Sequence, residues 1–588
     1  MRNKQLTASE RKLAEAFSTG RRLTLGSGDP GRGATWGPDR TIRAEVVREL
    51  LVSATPPSRA GVPAVRITGA RIVGTLDLRF ASVTHPLSLR SCHMTGMLDL
   101  HGVRSREIDL RGSHLREGLY ASTAFIDGHL LLTDTVIDKT VRLIATHIAG
   151  ALFMNGARLG DPGGGPGRPV FEADRLQVDA DLLCRDGFRA NGEIRFPGAR
   201  IGDSIDFEGA TLSNPKACAL AAPRIVVGGD FLARNAFSAN GSIDVDGATV
   251  EGQLNLDGAR LSNPGGYALR GARLTVQGEM RCTGDFTAHG ELHLLNARIV
   301  GPLILDGARI LNPHRIGLHA SGLTADGMYC RDDFTVEGSV RLSGARITGP
   351  LDFSRACFKD DSALSLGCWW LTARELILRP AVPPGGTVDL RYAQLGLLEY
   401  APGALPGTLR LDGLTYNAIA PSTSVNAGLA WLDRTPPGFR PQPYEQLAET
   451  YRRTGNDAYA RNVLLAKERR RRSGLPLPIR VWGYLQDATV GYGYRPWRAA
   501  GWLALMLIVG TVAFHTRHPL AAEPGKAPPF NAFIYTLDLL LPIIDLGQRK
   551  AYLPPAGWLQ WLMYGFVVLG WVLATTIAAG ITRALRRQ

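Results

Sequence analysis

The chain has 588 residues, 68 of them glycine, with 7% aromatics and a formal net charge of +14. That length excludes a single ordinary globular domain, and a glycine-rich, aromatic-poor composition favours many turns and short strands over conventional cores. The charge does not mark a nucleic-acid binder: residues 61–412 carry 36 Lys/Arg against 38 Asp/Glu, and the excess lies in residues 1–60 (11 against 6) and 413–588 (20 against 9).

Residues 1–60 read as an N-terminal helical cap. The opening MRNKQLTASERK is polar and lacks the apolar run of a cleavable signal. The seven cysteines form no CxxC pair and no zinc-type spacing with histidine. The expectation is a reduced, cytosolic setting for the bulk of the chain, with no disulfide, metal or cofactor. TASE (7–10) is a capping-box pattern that opens one helix. A second helix is predicted around residues 41–52, with Ile42, Val46, Val47, Leu50 and Leu51 covering the first unit of the repeat array. GSGDPG (26–31) matches GxGxxG, but Pro30, Gly31 and Gly33 stand where a dinucleotide-binding helix would have to begin, so it reads as a linker.

Residues 61–412 form that array. Pairs of the form L-x-L recur at steps of 11 and once 10: Leu76/Leu78, Leu87/Leu89, Leu98/Leu100, Ile108/Leu110, Leu119/Ala121, Leu130/Leu132, Val141/Leu143 and Leu152/Met154. An aliphatic residue usually sits four positions before the pair, and a small one two positions earlier still. A period-2 pair puts two side chains on one face of a short strand, and small residues permit the corners. Eleven residues cannot enclose a core. Two such units make a coil of about 22 residues, stacked at a strand spacing of ~4.8 Å. The predicted fold class is therefore mainly β, a β-solenoid of 11-residue units, with about 15 coils on the order of 70 Å long. The helical return segment and asparagine ladder of a leucine-rich repeat are not present.

A longer period overlies the short one. GARIGDSIDFEGATLSNP (198–215), GATVEGQLNLDGARLSNP (247–264), NARIVGPLILDGARILNP (296–313) and GARITGPLDFSRACF (344–358) begin at steps of 49, 49 and 48. Each block holds four short units, with the extra residues expected in a loop after the SNP/LNP turn. An earlier copy at 145–159 fits if its GDPGGGPG insertion is a longer loop. Arginine recurs in the GAR corners (Arg71, Arg158, Arg200, Arg260, Arg273, Arg298, Arg309, Arg346), with Asp77, Asp206, Asp257, Asp306 and Asp352 nearby. These suggest a surface charge lattice or, alternatively, a groove for an anionic ligand. Cys184, Cys282 and Cys330 take equivalent L-x-L positions and read as buried packing residues.

Residues 413–475 read as a linker and helical neck, in which PYEQLAETYRRTGNDAYARNVLLAKERRRR (443–472) forms a hairpin turning at 454–456. A basic juxtamembrane segment (476–498) leads to a first transmembrane helix at 499–516. A loop (517–557), a second span (558–582) and a basic tail (583–588) follow. The candidate basic residues at the membrane are Arg469, Arg470, Arg471, Arg472, Arg480, Arg495, Arg498, Arg583, Arg586 and Arg587. Each contributes roughly 1 kcal/mol of attraction to anionic headgroups when near the surface. Their distribution predicts both termini in the cytoplasm and the 517–557 loop outside. TVGYG (489–493) spells a potassium-filter sequence, but it precedes the first span and reads as a juxtamembrane turn. FNAFIYTLDLLLPIIDLGQ (530–548) is either an interfacial amphipathic helix, the preferred expectation, or a re-entrant half-helix ending at Pro542. In the re-entrant case Asp538 and Asp545 become candidate intramembrane polar residues.

Taken together, WGPDRTIRAEVVRELL, the GARI-x-G-x-L-D-L units, PYEQLAETYRRTG, VGYGYRPWRA and YTLDLLLPIIDLGQ resemble bacterial proteins labelled membrane-associated oxidoreductases, over nearly the whole chain. The repeats also resemble the pentapeptide-repeat β-helix, with a unit slightly longer than that family's. The resemblance implies a membrane-anchored solenoid with two C-terminal transmembrane helices. The oxidoreductase label comes with it, although no cofactor motif accompanies the label. The expected role is a scaffold or interaction protein that binds anionic lipid headgroups and a protein partner on the solenoid, with no nucleic acid. Catalysis and a two-span channel or transporter, in each case as a monomer or a homo-oligomer, are the alternatives.

Overall fold

The computed structural model describes residues 6–52, 62–161, 169–359, 363–401, 403, 406–421, 424–523, 525–541, 544–554 and 557–585. They form two compact units: Met1–Ser422 with Arg434–Pro436, and Thr423–Asp433 with Pro437–Gln588.

The first unit is a parallel β-solenoid of about 15 coils. Each 11-residue unit contributes two short strands, so a coil has four sides. One coil consists of Arg104–Ser105, Ile108–Asp109, His114–Leu115 and Leu119–Tyr120. Every strand pairs in parallel with its equivalent one coil on, as in Ile108↔Leu130 and Leu130↔Leu152. The first and third residues of each L-x-L pair point inward, and Leu130, Leu132, Val141 and Leu143 are all fully buried. Removing each such side chain from water stabilises the stack by roughly 1.5–3 kcal/mol. Leu152 pairs with Leu182, so that coil takes in the GDPGGGPG insertion, whose residues 162–167 lie outside the described residues.

The long block resolves into two coils of unequal length. Sheet partners step from Phe231 to Leu254, Met280 and Leu303, so shorter and longer coils alternate. The extra residues do not leave the sheet as a loop. They remain within 11-residue strands, Thr211–Ala221, Arg260–Arg270 and Arg309–His319, each arching outward at the Asn-Pro step with a shift in register. The asparagine closes each arch: Nδ2 of Asn214, Asn263 and Asn312 donates to the carbonyl of Cys218 (2.6 Å), Tyr267 (2.9 Å) and Ile316 (2.7 Å). This side chain-to-backbone bond replaces ladder bonds that the bulge gives up. The next coil crosses directly over the arch with a glycine. At Gly290 (φ +129°) an added Cβ would lie 2.7 Å from the Asn263 carbonyl oxygen and 2.9 Å from that of Gly266.

The cap forms as a helix, α1 (Ala8–Thr19), with the predicted capping box: Thr7 Oγ1 accepts from Glu10 N (3.2 Å) and Thr7 N donates to Glu10 Oε2 (2.9 Å). The second helix, α2 (Ala44–Val52), starts later than predicted, because Thr41–Arg43 is a strand paired with Arg71–Val73. Leu23–Thr24 pairs with Ile67 and Thr68 in the other sheet. Both sheets of the first coil are thus extended by cap strands, which satisfy an edge that would otherwise template aggregation. The buried Glu10 carboxylate ties the layers together, accepting from Arg43 Nε (2.8 Å), Nη2 (2.7 Å) and the Arg43 amide (3.1 Å). At the other end, strands continue to Thr415–Ala420, and Leu409 N donates to the Arg434 carbonyl (3.0 Å).

The second unit is helical. It contains α3 (Val425–Asp433), α4 (Gln442–Arg453), α5 (Asp457–Ser473), α6 (Leu477–Val490), α7 (Pro496–Thr516), α8 (Ala532–Leu540), the four-residue α9 (Gln548–Ala551) and α10 (Trp558–Leu585). The predicted hairpin is α4 and α5, turning at Gly455 and burying Tyr444, Leu447 and Tyr451 with Val463 and Leu464. Two stretches are long and apolar enough to cross a membrane: Trp497–Thr516 in α7 and Trp558–Thr575 in α10. They expose Leu505, Ile508, Val512, Val568 and Val572.

Two outcomes are expected. Gly290→Ala should destabilise the solenoid by about 1–3 kcal/mol, because it sets a Cβ against two carbonyls at a left-handed φ; thermal unfolding of the purified protein checks this. The hydrogen bonds and charge of Arg43 lower Glu10 from 4.5 to about 2. Its contribution is therefore complete above pH 4.5 and lost as pH falls toward 2. Glu10→Gln should accordingly lower the melting temperature at pH 7, with the gap to wild type closing below pH 4.

Candidate functional site

Two surfaces combine exposure with unusual chemistry: the helices of the second unit and one corner of the solenoid. In the second unit, α8 lies between α7 and α10. Gly510 and Gly570 make this possible: a Cβ at Gly510 would sit 2.3 Å from Thr536 and 2.6 Å from Phe566, and one at Gly570 would sit 2.4 Å from the Leu540 carbonyl oxygen. Phe514, Tyr535, Leu539, Leu540, Met563 and Phe566 fill the space between the three helices. The part of the apolar run 530–548 that forms α8 is therefore a short helix seated against both long ones.

The two candidate aspartates have separate surroundings. Asp538 is buried at 3% exposure, and its carboxylate accepts from the amides of Leu546 (3.1 Å) and Arg549 (2.7 Å). It pins the chain returning from α8. Asp545 is exposed, ion-paired with Lys550, and accepts from Gly547 N (3.0 Å). The helix ends at Leu540, and Pro542 lies outside the described residues.

The basic residues divide into two groups. Arg469 Nε and Arg472 Nη1 both reach Asp487 Oδ2 (3.0 and 3.2 Å), and Arg498 Nη1 donates to the Asp487 carbonyl (3.2 Å). Arg472 also stacks over Tyr484, 3.9 Å from the ring centroid, and Arg495 donates to Asn462 (3.3 Å). Although burial alone would raise it, Asp487 lies below its ordinary value because of the two guanidinium groups. These four arginines lock the neck together. Arg471 meets Glu468 (3.6 Å), while Arg470 and Arg480 have no ion pair among the described residues. Beside Arg480, α6 exposes Leu477, Val481 and Tyr484, spaced to share one face. TVGYG is the end of α6 and a 3₁₀ turn, with Gly491 left-handed at the helix C-cap. Arg583 lies on α10, and Arg586 and Arg587 lie outside the described residues.

On the solenoid, the arginines and aspartates singled out from the sequence do not pair with each other. Asp77, Asp206, Asp257 and Asp306 meet Arg79 (2.8 Å), Arg185 (3.7 Å), Arg281 (3.0 Å) and Arg331 (2.7 Å), while Asp352 accepts from Ser354. Among the described residues, the GAR arginines from Arg158 to Arg346 make no side-chain hydrogen bond or ion pair, and Arg71 leaves Nε without a partner. Arg158 lies opposite Arg189 in the next coil, while Arg260, Arg298, Arg309 and Arg346 stand in columns that alternate with threonine, Arg260↔Thr287↔Arg309↔Thr335 and Thr275↔Arg298↔Thr324↔Arg346. Alternation keeps like charges two coils apart, about 9.6 Å, which tempers their repulsion. The lattice is therefore real, but built from different arginines than the GAR set.

One corner carries a cluster of exposed aromatics. Residues where the chain turns with positive φ form a column that mixes glycines such as Gly322, Gly344 and Gly413 with other residues, among them Thr123, Arg224, Asn296, Trp370 and Tyr392. A non-glycine residue in this conformation costs roughly 1–2 kcal/mol. Trp370 (φ +57°) and Tyr392 (φ +56°) nevertheless occupy it in consecutive coils, 54% and 45% exposed and stacked 4.9 Å apart. Trp369 beside them is also exposed, with Arg391 over its ring. The sequence carried a signal, the consecutive tryptophans Trp369 and Trp370, but their neighbour Tyr392 appears only when the register is known.

The remaining motifs have structural roles. GSGDPG leads into a 3₁₀ turn, Pro30–Thr35, whose Asp29 accepts from Gly31 N (2.8 Å). All seven cysteines are free thiols. Burial pushes up Cys184, Cys282 and Cys330, and raises Cys92 to about 12. A group with donor atoms placed for a metal does occur among the described residues, at Glu291, His293 and His319. No protein-family model, curated protein or solved structure matches the chain.

Proposed function

We propose that this protein is an interaction scaffold anchored to the cytoplasmic membrane, with the solenoid in the cytoplasm and a protein partner docked on the Trp369–Trp370–Tyr392 corner. The solenoid with two apolar helices fits a membrane-anchored repeat protein. The scaffold reading rests on the stacked pair at Trp370 and Tyr392. Two large aromatics held in a strained conformation and left in water lower solubility and fold stability, and binding compensates for both. Tryptophan, tyrosine and arginine are the residues that dominate binding energy at protein interfaces. The exposed face of α6, with Arg470 and Arg480 unpaired, supports contact with anionic headgroups. The surplus of basic residues beside the spans favours the cytoplasmic orientation. Redox catalysis is not adopted, because five of the seven cysteines are buried and the glycine-rich segment forms a 3₁₀ turn.

Glycine at the corner separates binding from folding. Trp370→Gly with Tyr392→Gly should leave the melting temperature unchanged or raise it. Crosslinked partner recovered from membranes should fall at least ~30-fold, the loss of about 2 kcal/mol at a hot spot. Undiminished recovery would remove the scaffold reading.

A second reading, a pore made by several copies, rests on α8 lying between the two long helices, as a re-entrant pore helix does. Gly510→Leu would drive a side chain into Thr536 and Phe566 and displace α8. Ion flux in liposomes should be measurable for the wild type and abolished by this variant; an impermeable wild type ends the pore reading.

A further inference from the structure

We infer that Glu291, His293 and His319 form a binding site for a borderline divalent metal ion such as Zn²⁺ or Co²⁺, on the flank of the solenoid. The three come together through the coil geometry. Glu291 and His293 lie two apart on one strand, Thr287–His293, and so share a face. His319 is the direct partner of His293 in the following coil. His293 Nδ1 is 2.7 Å and His319 Nδ1 3.4 Å from the same Glu291 Oε1, and one ligand atom from each residue lies within 4.8 Å of the other two. The imidazole rings stand edge to face at 4.8 Å. Side-chain exposures of 13%, 15% and 23% leave one side open for water or another ligand.

The neighbouring coils show what is unusual. Elsewhere on this face carboxylates meet arginine: Glu172 meets Arg142 (2.6 Å), Asp174 meets Arg195 (3.0 Å) and Asp246 meets Arg270 (2.7 Å). Arginine pairs with a carboxylate at any physiological pH and cannot ligate a metal. In the column Asp244–Arg270–His293–His319–Arg341, histidine replaces arginine in two consecutive coils around one glutamate. Two nitrogens and one carboxylate oxygen suit zinc, cobalt or nickel rather than calcium or magnesium. Burial raises the Glu291 pKa, but the hydrogen bonds from His319 and His293 outweigh it and leave the pKa below its ordinary value.

The surrounding charges are compatible with a cation. Arg270 is neutralised by Asp246 and by Asp244 at 3.7 Å. Arg341 has no ion pair among the described residues and contacts Ser339 Oγ at 3.5 Å, so a bound metal is best accompanied by an anionic ligand on that side. Tyr267 covers His293, with ring centroids 5.0 Å apart. Binding weakens as pH falls through the imidazole range, since protons compete for the same lone pairs.

The test uses the full-length, untagged protein in detergent, stripped with a chelator and titrated with Zn²⁺ or Co²⁺. Wild type should bind one equivalent at micromolar metal, with a rise in melting temperature and a visible Co²⁺ spectrum. His319→Arg keeps a cation opposite Glu291, as arginines do in the flanking coils, but removes a ligand. It should retain the metal-free melting temperature and lose at least ~100-fold in affinity, more than an outer-shell change costs. If His319→Arg lowers the metal-free melting temperature, Glu291→Gln provides the same comparison. Equal binding by wild type and variant, or no binding at micromolar metal, overturns the site.

Discussion

The rest of the solenoid depends on the parallel, in-register stacking of consecutive coils. Each short strand donates and accepts along the axis, and each coil presents its inward pair over the one before. A slip of one residue would turn Leu130 and Leu132 outward and bring their polar neighbours into the core. The pattern of two side chains per strand is thus enforced by burial, and the ladder by the cost of leaving backbone groups unpaired. Everything on the outer surface inherits this register. Residues far apart in the chain become neighbours when they occupy equivalent positions, and they repeat at strand spacing.

That inheritance explains where function is to be sought. A column that keeps its pattern, such as the alternating Arg/Thr columns, is accounted for by charge spacing. Departures from the neighbouring coils are not. Trp370 and Tyr392 stack as exposed aromatics in consecutive coils, and His293 and His319 stand where the flanking coils place arginine. The asparagine arches are a different kind of deviation. They extend one coil in two, and the amide at Asn214, Asn263 and Asn312 compensates each of them.

The helical unit follows other rules. Glycines at Gly510 and Gly570 let α8 approach two long apolar helices closely, in a largely apolar contact to which Tyr535 adds a hydrogen bond to Met563 Sδ (3.5 Å). Asp538 is the charged exception there, and its two amide partners give it a structural role that its position alone did not suggest. The neck is held by Asp487, which gathers Arg469, Arg472 and Arg498. Much of the positive charge in the helical unit is therefore engaged within the protein, leaving Arg470 and Arg480 without an ion pair among the described residues.

The local pattern of the chain was enough for the solenoid, its short unit and longer block, the capping box at Thr7, the α4–α5 hairpin and the two apolar helices. Each rests on a short-range period or on side-chain chemistry within one turn, which a linear sequence carries in full. Its expectation for α2 began too early, because Thr41–Arg43 pairs with the distant strand Arg71–Val73, and strand pairing outweighs helix propensity. A loop was expected at the Asn-Pro steps because proline marks a turn, while the structure retains the strand through a side-chain bond. Only the tertiary register placed His319 beside His293 in the next coil, set Trp370 over Tyr392, and matched the carboxylates with different arginines. Those relations are contacts between coils, and their spacing depends on how much chain each coil takes in.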